Sequence, residues 1–181
     1  MKHTGLMTAE ELERLDIPGK VTELIRGHLI VREPPGTSHG RIAATLCMLL
    51  GNFVRRENLG AVFAQDTGFK IESDPDTVRA PDVAYLSTGR LGAVGRRGYA
   101  AVPPDLAAEV VSPDDRAGEV LGKVAAWLSA GSGLVWVVDP AREEVRVYRP
   151  DGSVRIVPGD GSLDGEDVLP GFACSVREIV S

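Results

Sequence analysis

The stretch Leu106-Ala107-Ala108-Glu109-Val110-Val111 is apolar at every position but one. A short run of this kind reads as a strand covered on both faces. A carboxylate inside such a strand is costly unless it is paired or coordinates a metal. The chain must therefore build a sheet with layers on both sides and bring a partner to Glu109. A second acid, Asp82, stands at the mouth of another short apolar strand, in Arg79-Ala80-Pro81-Asp82-Val83-Ala84-Tyr85-Leu86. Proline suits a strand entrance because it cannot donate to a central ladder. A helix carrying Lys123 follows the Glu109 strand. Two acids at strand ends and a nearby lysine are the makings of a metal-dependent phosphodiesterase.

The rest of the chain supplies the frame. Thr8-Ala9-Glu10-Glu11 has the form of a capping box, which starts a short helix to about Leu15. Val21 to Arg32, split by Arg26-Gly27, reads as a hairpin. Ile42, Leu46, Leu49, Leu50 and Phe53 recur at helical spacing, so His39 to Glu57 is an amphipathic helix capped by Thr37 or Ser38. Ala61 to Ile71 alternates as one strand, Ser73 to Asp76 is a turn, and Asp82 to Leu86 is a strand. Thr88 to Val102, with four glycines and three arginines, reads as a flexible loop. Val120, Val124, Trp127 and Leu128 set a helix over Ala117 to Ala130, ended by Gly131. Leu134 to Val138, Glu143 to Tyr148 and Val154 to Val157 are strands, and Val176 to Val180 is a last short helix or strand. The order predicts a mixed α/β (α+β) class.

With 181 residues, the chain fits one domain over residues 1–181. No apolar run reaches the roughly 18 residues of a membrane span. Residues 1–8 show neither a long apolar core nor a cleavage site, so no signal peptide is expected and the cytoplasm is the expected location. Cys47 and Cys174 stand far apart without metal-ligand spacing, and Cys47 reads as a small buried hydrophobe. The net charge of −6 argues against non-specific coating of nucleic acid, which needs clustered Lys and Arg. It leaves room for a nuclease whose acids hold metal ions. Arg90, Arg96 and Arg97 form one local basic cluster, which reads equally as a solvated loop. Neither GxSxG nor HExxH is present, so a small-molecule hydrolase has no support.

Each candidate residue has two readings. Asp82 alone serves equally as a turn residue. Glu109 is either a structural ion-pair partner of Arg79 or Lys123, or a ligand of a hard cation such as Mg²⁺, which takes few carboxylates together with water and phosphate. Lys123 flanks the apolar stripe of its helix; it is either exposed or reaches back to the sheet to orient water and offset phosphate charge. Glu23 is a third acid near the site or an exposed strand residue. His39, at a helix start where anions are favoured, contacts phosphate or lies on the surface. Gln65 is a polar position within an apolar strand, and Trp127 and Trp136 read as core aromatics.

These segments, in order, resemble the PD-(D/E)XK nuclease superfamily, and most closely its Uma-type restriction-endonuclease branch. Thr22-Glu23-Leu24-Ile25-Arg26-Gly27 resembles the family's first hairpin. Arg79-Ala80-Pro81-Asp82-Val83 is similar to its "RxPDv" strand, and Pro104 to Pro113 to its "PdlvvEvlSP" strand. Trp136-Val137-Val138-Asp139-Pro140 and Leu169-Pro170-Gly171-Phe172 match its later motifs. The resemblance implies a restriction-endonuclease-like central mixed β-sheet flanked by helices, preceded by an N-terminal helix and β-hairpin. It implies Asp82 and Glu109 as the two acids, with the carbonyl of Val110, around Mg²⁺ or Mn²⁺. The superfamily's lysine stands two residues after the second acid, where this chain has Val111, so Lys123 on the next helix is its match. Glu23 becomes an additional acid, and His39, Gln65 and Arg79 are substrate-proximal. The implied partner is nucleic acid, DNA by analogy, with no membrane and a two-fold homodimer as the expected assembly. Val111 and the acidic charge favour a rival: a non-catalytic binding or regulatory module that keeps the fold.

Overall fold

The capping box closes as expected. Glu11 N–H donates to the Thr8 hydroxyl and Thr8 N–H to the Glu11 carboxylate, which starts α1 (Ala9–Glu13). The computed structural model describes residues 5–181; of the leader reading, residues 1–4 lie outside the described residues. β1 (Val21–Ile25) and β2 (His28–Arg32) form the expected hairpin. Its turn uses Arg26 and Gly27, both at positive φ, the geometry that matches strand twist. α2 spans Thr37–Glu57, and its N-cap is Gly36, without a side-chain cap, in place of Thr37 or Ser38.

The single strand expected over 61–71 is two. β3 (Gly60–Ala64) and β4 (Phe69–Glu72) are separated by a turn in which Asp66 adopts φ 69°. The residue alternation runs through this turn and hides it. Gln65 consequently lies past the end of β3, exposed, rather than inside a strand. β5 (Thr77–Arg79) is a short, fully buried strand, and β6 (Val83–Ser87) starts just after Asp82. The loop expected over 88–102 opens with α3 (Thr88–Leu91). Arg90 donates to the carbonyls of Pro103 and Gly131, both at 3.0 Å, and pairs with Asp105 at 3.2 Å. Arg90 is thus engaged with the protein, whereas Arg96 and Arg97 are exposed.

β7 (Leu106–Val110), α4 (Ala117–Ala130) and β8 (Leu134–Asp139) form a parallel crossover. Gly131 ends α4 at φ 106°. β9 (Glu144–Tyr148) pairs with both β8 and β10 (Val154–Pro158). β11 (Ser162–Gly165) and β12 (Leu169–Ser175) form a separate hairpin, and α5 (Val176–Val180) resolves the last element as a helix.

The main sheet has the order β10-β9-β8-β7-β6-β3, mixed because only β7 and β8 are parallel. A four-stranded sheet, β2-β1-β5-β4, stands beside it. Strand alternation divides the core. Leu106, Ala108, Trp136 and Val138 pack with Leu46 and Leu50 of α2. Ala107, Val135 and Val137 pack with Val124 and Trp127 of α4. Helices on both faces explain the continuous apolar composition of β7 and β8. The same alternation places Glu109 with Ala107, on the α4 side. Among the described residues no helix is long and apolar enough to cross a membrane.

Candidate functional site

β6 and β7 run antiparallel with Val83 opposite Ala108. One further step along this register sets Asp82 across from Glu109. Pro81 breaks the strand there, and the Asp82 carboxylate takes over from the ladder: its Oδ2 accepts the Val110 N–H at 2.7 Å. The first turn of α2 brings His39 to the same oxygen, Nε2 to Oδ2 at 3.1 Å. This bond to Asp82 raises the His39 pKa, against the opposing effect of burial. His39 Nδ1 is buried without a hydrogen-bond partner.

Glu109 is 4% exposed and both of its oxygens are engaged. Lys123 Nζ donates to Oε2 at 2.8 Å, and the indole Nε1 of Trp127 donates to Oε1 at 2.8 Å. Burial pushes the Glu109 carboxyl up to about 7, and the attraction of Lys123 only partly offsets it. Burial also works against the Lys123 ammonium, but the Glu109 charge and hydrogen bond overcome it, so its pKa is raised. Lys123 therefore keeps its proton, while Glu109 changes charge near neutrality. Of the two partners foreseen for Glu109, the structure uses Lys123 and not Arg79.

Arg79 belongs to Glu23 instead. Glu23 is 4% exposed, so it is no exposed strand residue. Its Oε1 accepts the Ala80 N–H at 3.2 Å. Its Oε2 has no hydrogen bond and lies 3.6 Å from Arg79 Nη1 and 3.7 Å from Arg32 Nε. A cleft of about 640 Å³ opens between these elements, lined by Glu23, His39, Gln65, Asp82, Val110 and Lys123 among others. Sequence reasoning missed Trp127 and Arg32. Trp127 follows Lys123 by four, so both project from one face of α4, and that spacing was the available signal.

Among the described residues, no three His, Cys, Asp or Glu side chains stand close enough to form a ready-made metal cage. Mg²⁺ does not require one; one or two carboxylates suffice when water and phosphate complete its shell. Asp82 and Glu109, opposite one another in the register of β6 and β7, are two hard oxygen donors of that kind. The donor set fits a hard divalent cation.

The family model described as "Uma2: Putative restriction endonuclease" matches residues 9–177. A solved structure described as "a putative nuclease belonging to DUF820", from Anabaena variabilis, aligns with a TM-score of 0.81 at 21% identity. The alignment covers 96% of this chain and 97% of that one. At that identity the likeness is one of fold: the central mixed sheet flanked by helices is shared. No curated protein matches.

Proposed function

Because the chain belongs to the Uma2 restriction-endonuclease family over residues 9–177, we propose that it is a divalent-metal-dependent phosphodiesterase acting on nucleic acid, DNA being the substrate. One observation carries the reading. Lys123, on a helix, meets Glu109, on a strand, at 2.8 Å, with Asp82 at the entrance of the neighbouring strand. That contact supports the reading in which Lys123, from a helix, stands in for the strand lysine of the superfamily pattern.

Mg²⁺ or Mn²⁺ would be held by Asp82 and Glu109, with the carbonyl of Val110 and with Glu23 as the additional acid. When bound, the ion supplies Lewis acidity and neutralises charge at the phosphate. The Lys123 ammonium orients the attacking water and stabilises charge that develops on the phosphoryl oxygens. Val110 N–H and His39 fix the Asp82 carboxylate, and Trp127 fixes that of Glu109. His39 and Gln65 face the substrate from the cleft wall. The whole chain acts as one domain, and cutting both strands of a duplex calls for a two-fold pair of copies.

The engaged oxygens of Glu109 favour a second reading, a nucleic-acid-binding module whose acids form a structural network. Calorimetry with Mn²⁺ and plasmid cleavage separate the two. The wild type should bind Mn²⁺ and nick plasmid only with metal present. Glu109→Gln and Lys123→Met should each slow cleavage about 100-fold or more. A wild type that binds DNA but neither binds Mn²⁺ nor cleaves is the module. Cleavage unchanged in Glu109→Gln would show the assigned site to be wrong.

A further inference from the structure

A smaller pocket of about 220 Å³ lies beside the cleft, lined by Lys20, Thr22, Arg79 and Tyr99 among others. The two cavities share Val21, Asp66 and Ala80, so a single wall divides them. Their charge differs. Carboxylates outnumber Lys and Arg around the cleft, whereas the pocket presents Lys20 and Arg79 with Asp66 as its one acid.

Arg79 is the unusual member. Its side chain is 10% exposed, yet Nε and Nη1 are buried with no hydrogen-bond partner. Its salt-bridge partner, Glu23 Oε2, lies at 3.6 Å and is shared with Arg32. Arg32 also has Glu119 at 3.7 Å, so the surplus positive charge falls at Arg79. Buried donors without acceptors are rare in folded proteins and costly to keep. A guanidinium offers a planar fork of donors that matches phosphate oxygens. Lys20, also in the lining, pairs with Glu33, whose side chain is 78% exposed. Such a surface pair is weak and opens readily to a competing anion.

We propose that this pocket is a phosphate subsite. Arg79 and Lys20 hold one backbone phosphate of the nucleic acid while its neighbour lies at Asp82, Glu109 and Lys123. The identity of the ligand as nucleic acid rests on the nuclease reading; the affinity for phosphate does not. The subsite would supply the positive charge that the cleft lacks, and would fix the register of the strand independently of base sequence.

The test uses the full chain carrying Glu109→Gln, which blocks turnover, and a short fluorescent DNA duplex titrated over a range of salt. Arg79→Met and Lys20→Met should each weaken binding for every duplex sequence tried. Each should make the plot of log affinity against log salt shallower by about one unit. Lys20 lies at the surface, so Lys20→Met decides the matter if Arg79→Met fails to fold. Slopes equal to the parent in both folded variants overturn the subsite and leave the nuclease reading intact. A parallel titration with inorganic phosphate identifies the source. Arg79-dependent binding of inorganic phosphate by a protein that binds no DNA would overturn the backbone assignment, and the nuclease reading with it.

Discussion

Replacing Trp127 by Phe separates packing from hydrogen bonding at Glu109. The indole is fully buried, donates to Glu109 Oε1 at 2.8 Å, and meets Phe69 edge-on at 6.1 Å. A phenyl ring keeps much of the packing and deletes the donor. Losing a hydrogen bond to a charged group costs about 1.5–3 kcal/mol, against about 0.5–1.5 kcal/mol for a neutral one. The smaller ring adds about 1 kcal/mol at any pH. Glu109 passes from neutral to charged near 7, above its ordinary 4.5, because burial disfavours the anion. Between those values the folded protein holds a proton that the unfolded chain releases. The stability tied to this group is therefore complete below about 4.5 and declines as the pH rises to about 7. In the variant the anion has lost a donor, so the decline continues to higher pH. Metal-free urea denaturation at about pH 5 and about pH 8 reads the difference. The variant should lose about 2 kcal/mol at the lower pH and about 1 kcal/mol more at the higher. Equal losses at both would refute a hydrogen bond from the indole to a titrating carboxylate.

Three further outcomes are expected. Gly60 sits at φ +141°, and a Cβ there would lie 2.0 Å from the Leu86 carbonyl oxygen. Gly60→Ala should thus cost about 3 kcal/mol or more by denaturant titration. His39 has its pKa raised by Asp82, so its stabilisation is complete below 6.5 and fades as the pH rises through its folded value. The stability gap between wild type and His39→Phe should accordingly narrow from about pH 5 to about pH 8, and a gap that widens would contradict the contact. Arg90→Ala removes two bonds to carbonyls and the pair with Asp105. Because the side chain is partly exposed, the loss should be about 1–2 kcal/mol, seen as a lower thermal midpoint.

The parts of this molecule governed by local periodicity were legible in the sequence. α4 runs from Ala117 to Ala130 as its apolar spacing requires, and β7 carries Glu109 into a two-sided core. That Glu109 needs a partner was legible as a buried charge, but the sequence left Arg79 and Lys123 as alternatives, of which the fold uses Lys123. What depends on distant pairing was not legible. β5 is only three residues long and exists because β1 and β4 flank it. The turn at Asp66 interrupts no alternation, so β3 and β4 read as one strand although they enter different sheets. β12 contains Pro170-Gly171, and it is a strand through its pairing with β11. Arg79 was placed near the substrate by resemblance, but its partnership with Glu23 across two strands has no signature in local spacing.

Glu23, His39, Asp82, Glu109 and Lys123 come from β1, α2, the entrance of β6, β7 and α4. During synthesis the ammonium of Lys123 leaves the ribosome after all the carboxylates it must balance. A chain stopped before α4 already holds Arg32, Arg79 and His39, the partners of Glu23 and Asp82, but lacks Lys123 and Trp127, which both donate to Glu109. The contact between Lys123 and Glu109 therefore joins parts of the chain that are made at different times, and it closes only once α4 has been added.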